Sequence, residues 1–429
     1  MSNPVIGYVG LTHLGLVSAI GAASKGFQVV GFDADLGRVD AIRGGRLPIV
    51  EPQLDDLARE HAPRLNWSAD ATALGTCDIL YVSTDVPTDD AGRSDLDGIG
   101  RSIESVLPRL GPNALLVVLC QVPPGYTRTI KLAANRLYYQ VETLIFGRAV
   151  ERATKPERFI LGCATPEQPL PSALATFLGA YSCPILPMRY ESAELCKIAI
   201  NCCLVASVTV ANTLAELSEE IGADWAEIAP ALRLDRRIGL HSYLAPGLGI
   251  SGGNLERDLA TVLRLSEQVG SDSSLITAFL HNSEYRRDWP LRTLQRHVLA
   301  KKPDAMLGIL GLSYKENTHS TKNSPALALI AQLPSSRLRI FDPVVPVSAA
   351  AHAHTTAAVS ALDAAKSVDA LLVMTPWPAF REVAPRALAE TMHGKVVIDP
   401  YRMFDSAEMS EAGLIHFALG RAAESVSCR

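Results

Sequence analysis

The segment GYVGLTHLGLVSAIGAASKGFQVVGFD, residues 7–33, has the residue types and spacing to grip a dinucleotide. An apolar stretch runs into Gly10-Leu11-Thr12-His13-Leu14-Gly15, then a helical stretch, then a second apolar stretch ending in Asp33. Gly10 suits a tight turn. Gly15 lets the helix pack close to the strand, and the helix N-terminus then offers free N–H groups to a pyrophosphate. The middle position of such a turn is normally glycine, so that backbone can approach phosphate; here it is Thr12. Asp33 lies 18 residues after Gly15. A carboxylate there accepts from a ribose 2′-hydroxyl and repels a 2′-phosphate, which favours NAD over NADP. Arg38 is placed to stack on adenine or to contact phosphate.

The elements that must carry this turn follow from the pattern around it. Val5–Tyr8, Gln28–Phe32, Ile79–Ser83 and Leu115–Cys120 are short, apolar and bounded by turn residues, as buried strands are. Strands alternating with helices imply a parallel sheet covered on both faces. A second block repeats the pattern with Met306–Leu310, Leu338–Phe341, Ala370–Met374 and Val396–Ile398. Between them, AELCKIAINCCLVASVTVANTLAELSEEIG has helical spacing and predicts a long helix over Ser192–Ile221. The fold class expected is α/β: two Rossmann-like doubly wound domains, 1–190 and 301–429, joined by a helical domain, 191–300.

Composition narrows the function classes. The 429 residues are 48% hydrophobic and 20% charged, with net charge −5, so an ordinary globular chain is expected, with no general attraction for nucleic acid or anionic membrane. No secretion signal and no spanning segment is read in the sequence, which gives an expectation of a cytoplasmic protein. The eight cysteines form no paired zinc-ligand spacing, and no metal is expected.

Taken in order, the motifs resemble those of the UDP-glucose/GDP-mannose dehydrogenase family. GLTHLGL…GFD is similar to its NAD turn, GRLPIVEPQLDDL to its substrate-loop segment, and VPTDDAGRSDL and VPPGYTR to its two βα loops. AELCKIAIN is similar to its central helix, RRIG…PGLGISGGNLERDL to its active-site loop, and LGLSYKENTHSTKNSPA with FDP to its C-terminal domain. The resemblance spans nearly the whole chain. It implies oxidation of a sugar C6 alcohol by NAD, through an aldehyde and a cysteine thioester, in a homodimer whose substrate is a nucleotide sugar.

Carried over position by position, the resemblance assigns Lys197 and Asn201 to the active site. They are four apart and so share one helix face. A lysine there stabilises a developing oxyanion. Asp258 matches the carboxylate that works with water as base, which requires hydrogen-bond reach of the hydroxyl. Glu142, in VETLIFG, matches the first glutamate of a conserved loop. Thr84 and Gln121 join the cofactor set. Arg237, Gly249, Gly252 and Lys315 match substrate contacts, the loop 246–253 allowing close ligand approach.

Five positions depart from the family pattern. Asn254 stands where the family has its catalytic cysteine, and an amide is no nucleophile at neutral pH. Phe146 stands where a glutamate activates water for thioester hydrolysis, and Gln121 replaces a threonine. In the C-terminal loop, His319 and Lys322 replace an aspartate and an arginine. Three readings remain open at this stage: a two-electron alcohol oxidoreductase, a four-electron 6-dehydrogenase working through a gem-diol, and a non-catalytic nucleotide-binding homologue.

Overall fold

The computed structural model describes the chain except residues 1, 2, 88, 90, 91, 93 and 423–429. It divides into two compact units, Met1–Ile200 and Asn201–Arg429.

The first unit is built on strands β1 (Ile6–Val9), β2 (Val29–Phe32), β3 (Leu65–Ser68), β4 (Ile79–Val82), β5 (Leu115–Val118), β6 (Leu137–Gln140), β7 (Phe159–Cys163) and β8 (Ile185–Arg189). They lie in the order β3-β2-β1-β4-β5-β6-β7-β8. Strands β1, β2, β4 and β5 are buried along their whole length, as their unbroken apolar sequences require. Alternate side chains divide between two cores: Ile6, Tyr8, Ile79 and Tyr81 pack on one face of the sheet, Val9, Leu80 and Val82 on the other. One expectation needs correction. The sheet is not wholly parallel, because β6 and β7 pair antiparallel, Tyr139 opposite Gly162. The link from β6 to β7 carries only a short helix, Ala149–Thr154, packed on the far side of α1 (His13–Ser24).

Helix α2 (Tyr190–Ile221) begins directly after β8. Its first turns belong to the first unit: Tyr190 is buried and its hydroxyl donates to Leu137 O at 2.8 Å. This helix is long and apolar enough to cross a membrane by length and composition. The sequence reading finds no such segment, because Asn201, Ser207, Thr209 and Asn212 divide the uncharged stretch 198–215 into shorter apolar runs.

In the second unit, the C-terminal part of α2 packs with α3 (Asn254–Val269) and α4 (Ser274–Arg287), burying Val205, Ile250, Leu259, Ile276 and Phe279. Beyond them, strands β9 (Met306–Leu310), β10 (Arg337–Phe341), β11 (Thr355–Ala357), β12 (Ala370–Val373), β13 (Val396–Ile398) and β14 (Ile415–Phe417) form a sheet ordered β11-β10-β9-β12-β13-β14. Its described pairings are all parallel. Leu307 and Ile309 enter one core while Leu310 enters the other, so this sheet too is covered on both faces.

The two sheets share a device that patterning could not show. Gly10 follows β1 with φ +90°, and a Cβ on it would meet Thr84 Oγ1 at 2.7 Å. Gly311 follows β9 with φ +96°, and a Cβ on it would meet Thr375 at 2.4 Å. Leu11 N donates to Asp33 Oδ2 at 2.8 Å, and Leu312 N donates to Asp342 Oδ2 at 2.6 Å. In each unit a carboxylate after the neighbouring strand fixes the glycine turn.

Candidate active site

The turn after β1 is rigid before any ligand arrives. Gly10 needs its left-handed φ, and a Cβ on Gly15 would fall 1.8 Å from Gly10 O. Asp33 is buried and accepts from Leu11 N, Asp35 N at 3.0 Å and Arg38 Nη1 at 2.7 Å. Arg38 is therefore tied to Asp33. Thr84, at the end of β4, packs on the turn as its backing residue. Leu14 turns its side chain into the sheet core. Gln121 is half-buried beyond the end of β5.

These residues fit a dinucleotide. Thr12 caps α1 yet makes no capping bond, and among the described residues its Oγ1 is a buried hydroxyl without a hydrogen-bond partner. A buried orphan of this kind is satisfied by a phosphate oxygen at the helix start. The exposed Asp85 carboxylate accepts from His13 N at 3.2 Å, holding the place where a ligand anion would take that N–H.

His13 does more than lend its backbone. Its Nε2 lies 2.8 Å from Glu51 Oε1, and its ring stacks on Phe146 with centroids 4.1 Å apart. Glu51 is buried, and its carboxylate also accepts from Gly147 N at 3.0 Å and Ala149 N at 3.3 Å. One carboxylate thus ties the dinucleotide turn to the loop that carries Glu142 and Phe146. Sequence reading passed over Glu51. The signal was a lone acid in an apolar run, LPIVEPQL.

On α2, Lys197 Nζ lies 3.2 Å from Glu142 Oε2, both side chains mostly buried. The Glu142 carboxylate also accepts from Leu144 N. One turn earlier, Glu194 is fully buried and accepts from Gly125 N at 2.5 Å and Thr127 N at 2.8 Å, pinning the VPPG loop to the helix. Burial raises its carboxyl above the usual range against those hydrogen bonds. Glu194 too went unread, although it stands among apolar neighbours.

In the second unit, Asn201 Nδ2 donates to Asp258 Oδ2 at 2.5 Å. Asp258 is 1% exposed and lies 3.6 Å from Arg257 Nε through its other oxygen. A buried carboxylate bonded in this way has a fixed direction, as a base must. Asn254 is the first residue of α3. Cys202 packs beside this cluster, and its thiol is raised first by burial and then by the Asp258 charge, so it holds little thiolate. Cys203 is exposed.

The glycine loop departs from expectation. Gly249, φ +77°, is required because a Cβ would meet Ser283 O at 2.3 Å, and Gly252, φ +82°, because Tyr314 lies 3.1 Å away. Protein packing accounts for both. Ile250 N donates to Ser283 Oγ at 2.7 Å, and Gly252 N donates to Lys322 O at 3.1 Å, joining this loop to 314–323. Arg237 folds onto its own Asp235 at 2.6 Å with 88% of its side chain exposed, and Lys315 lies 5.6 Å from the Tyr314 ring. His319 is exposed. Thr88, Asp90, Ala91 and Arg93 of the VPTDDAGR loop lie outside the described residues. Among those described, no group of three or more His, Cys, Asp or Glu could hold a metal ion.

Known proteins resemble the chain along almost its full length. Models of the UDP-glucose/GDP-mannose dehydrogenase family match in chain order: its NAD binding domain over residues 5–175, its central domain over 191–284 and its UDP binding domain over 308–406. The UDP-glucose 6-dehydrogenase TuaD of Bacillus subtilis is 27% identical, covering 97% of this chain and 93% of that one. A UDP-glucose 6-dehydrogenase of Pseudomonas aeruginosa is 28% identical over 96% of each. A UDP-glucose dehydrogenase structure from Pyrobaculum islandicum superposes with TM-score 0.85 at 25% identity, covering 98% of both chains.

Proposed function

The chain belongs to the UDP-glucose/GDP-mannose dehydrogenase family of NAD-dependent oxidoreductases acting on CH–OH groups, and from that premise we propose that it oxidises an alcohol of a nucleotide sugar by one two-electron step. NAD supplies the hydride acceptor when bound. The turn at Gly10–Gly15 and Asp33 would hold its phosphate and ribose ends. Asp258 takes the proton of the alcohol, and Asn201 fixes the carboxylate that receives it. Lys197, steadied by Glu142, stabilises the oxygen as negative charge develops on it.

The carrying observation is which groups are present. The pairs Asn201–Asp258 and Lys197–Glu142 are formed and buried. Asn254 offers no nucleophile, and Phe146 is an aromatic ring stacked on His13, where hydrolysis of an acyl-enzyme requires a base. The product on this reading is a carbonyl compound. Counting NADH formed per nucleotide sugar consumed tests it: one equivalent with an aldehyde or ketone product is expected, and two equivalents with a carboxylate would overturn it.

The same proposal includes a homodimer and a cytoplasmic location, with the division 1–190, 191–300 and 301–429 as its working domains. The dimer is favoured by an apolar stripe on α2. Val210, Leu214, Leu217 and Ile221 recur at helical spacing, and each is between 41% and 66% exposed.

A further inference from the structure

We propose that Glu194 is a positioning residue for the nicotinamide half of the cofactor, acting through the loop 121–127. Strand order decides which half of a dinucleotide meets which loop. The sheet runs β3-β2-β1-β4-β5, and a dinucleotide lies over the carboxyl ends of such strands, its pyrophosphate at the change of direction between β1 and β4. Asp33, directly after β2, faces the ribose of the adenosine end. The nicotinamide end then falls to the β4–β5 side, where Gln121 stands in the segment that follows β5. This placement rests on the cofactor being NAD and not on the number of electrons transferred.

The loop leans on the helix behind it. Pro123 and Pro124 have no N–H to give, and Gly125 turns the chain with φ +91°. Inside the loop, Tyr126 N donates to Pro123 O at 3.1 Å. The N–H groups on either side of it, of Gly125 and Thr127, both end on Glu194, at Oε2 and Oε1. Glu194 and Thr127 are 0% exposed, so water offers no substitute partner. Three residues further along α2, on the same helix face, Lys197 meets Glu142. Glu194 therefore sets the loop beyond β5 against the stretch of helix that presents Lys197.

A second tie between the same elements runs along the surface. Arg128 Nε and Nη2 donate to the Glu191 carboxylate at 2.5 and 3.0 Å, with side chains 55% and 41% exposed. Water screens such a pair, and it contributes little. The buried tie differs, because each oxygen that is lost leaves a buried N–H unpaired. Glutamine has one acceptor oxygen, and its NH₂ group would face an N–H. Aspartate keeps both oxygens on a shorter side chain. A loop released in this way must be ordered again when the nicotinamide arrives, and that cost falls on binding of the nicotinamide half alone.

The test uses the full-length protein with NADH and with ADP-ribose, which lacks the nicotinamide. Glu194→Gln is expected to weaken NADH binding by about two- to tenfold, the usual worth of ordering a loop on binding, and to leave ADP-ribose binding unchanged. In the unliganded variant, amide hydrogen exchange of the peptide spanning 121–130 should quicken by about tenfold or more. Glu194→Asp should fall between the two, and it carries the same comparison if the glutamine variant does not fold. Arg128→Ala, which cuts only the exposed tie, should leave the ratio of the two affinities unchanged. Equal losses of NADH and ADP-ribose in Glu194→Gln would mark a general structural role and overturn the proposal. So would unchanged NADH affinity, or the same shift in ratio from Arg128→Ala. These readouts need no substrate turnover, so their failure is distinct from failure of the two-electron reading, which the NADH count decides.

Discussion

Glu51 binds the side chain of His13 at 2.8 Å while accepting two backbone N–H groups from the loop 147–149. The residue that opens the cofactor helix and the loop that carries Glu142 and Phe146 are therefore set by one buried carboxylate. Glu51→Ala leaves those donors buried and unpaired, and a loss of about 1–3 kcal/mol is expected. Glu51→Gln retains an acceptor and recovers part of it. Thermal unfolding of the two variants, with and without NAD, measures both effects.

Asp258→Asn keeps the size of the buried side chain and removes the base. A fall in kcat of about 10²–10⁴ is expected with little change in NAD affinity. Steady-state kinetics alongside NAD titration separates this from unfolding, which would lower both.

Restoring the missing chemistry tests why it is missing. Asn254→Cys alone supplies a nucleophile without a base for hydrolysis, so the variant is expected to accumulate a covalent acyl adduct during turnover, visible in the intact mass. Asn254→Cys with Phe146→Glu supplies both, and the NADH yield per substrate should rise from one toward two as carboxylate forms.

Asp85 holds the N–H of His13 at the start of α1 with a negative charge. An entering phosphate must displace it and is repelled by it. Asp85→Ser is expected to tighten NAD binding by about two- to fivefold, in line with the usual worth of one charge at a helix N-terminus. Calorimetric titration at low salt reads the change, and added salt should shrink it.

The apolar stripe on α2 gives a further outcome. Leu217→Glu places a charge in the middle of Val210, Leu214 and Ile221, and sedimentation should show a shift from dimer toward monomer. An unchanged assembly would remove this face from the interface.

Sequence reading found β1, β2, β4, β5, β9, β12 and β13, whose side chains are apolar throughout as burial on both faces demands, and also β10, where buried Leu338 and Ile340 alternate with Arg337 and Arg339. It passed over β6, β7 and β8, and also three edge strands: β3, with Asn66 and Ser68 among its four residues, and β11 and β14, three residues each. At the edges held by β3, β11 and β14, pairing with a neighbour, more than composition, makes the strand. Gly249 and Gly252 read as room for a ligand, yet their neighbours Ser283 and Tyr314 lie 30 or more residues away in sequence and could not be seen from the loop.

By itself the sequence determined the two α/β blocks, the long helix between them, the dinucleotide turn and the absence of a nucleophile at position 254. Each depends on local periodicity or on the chemistry of one residue. Only the tertiary structure decided that Lys197 meets Glu142, that Glu51 joins His13 to Gly147, and that Glu194 holds Gly125 and Thr127. Those pairings arise where sheet register and loop closure bring distant residues within 3 Å or so of each other, and the free energy of a hydrogen bond is spent within that reach.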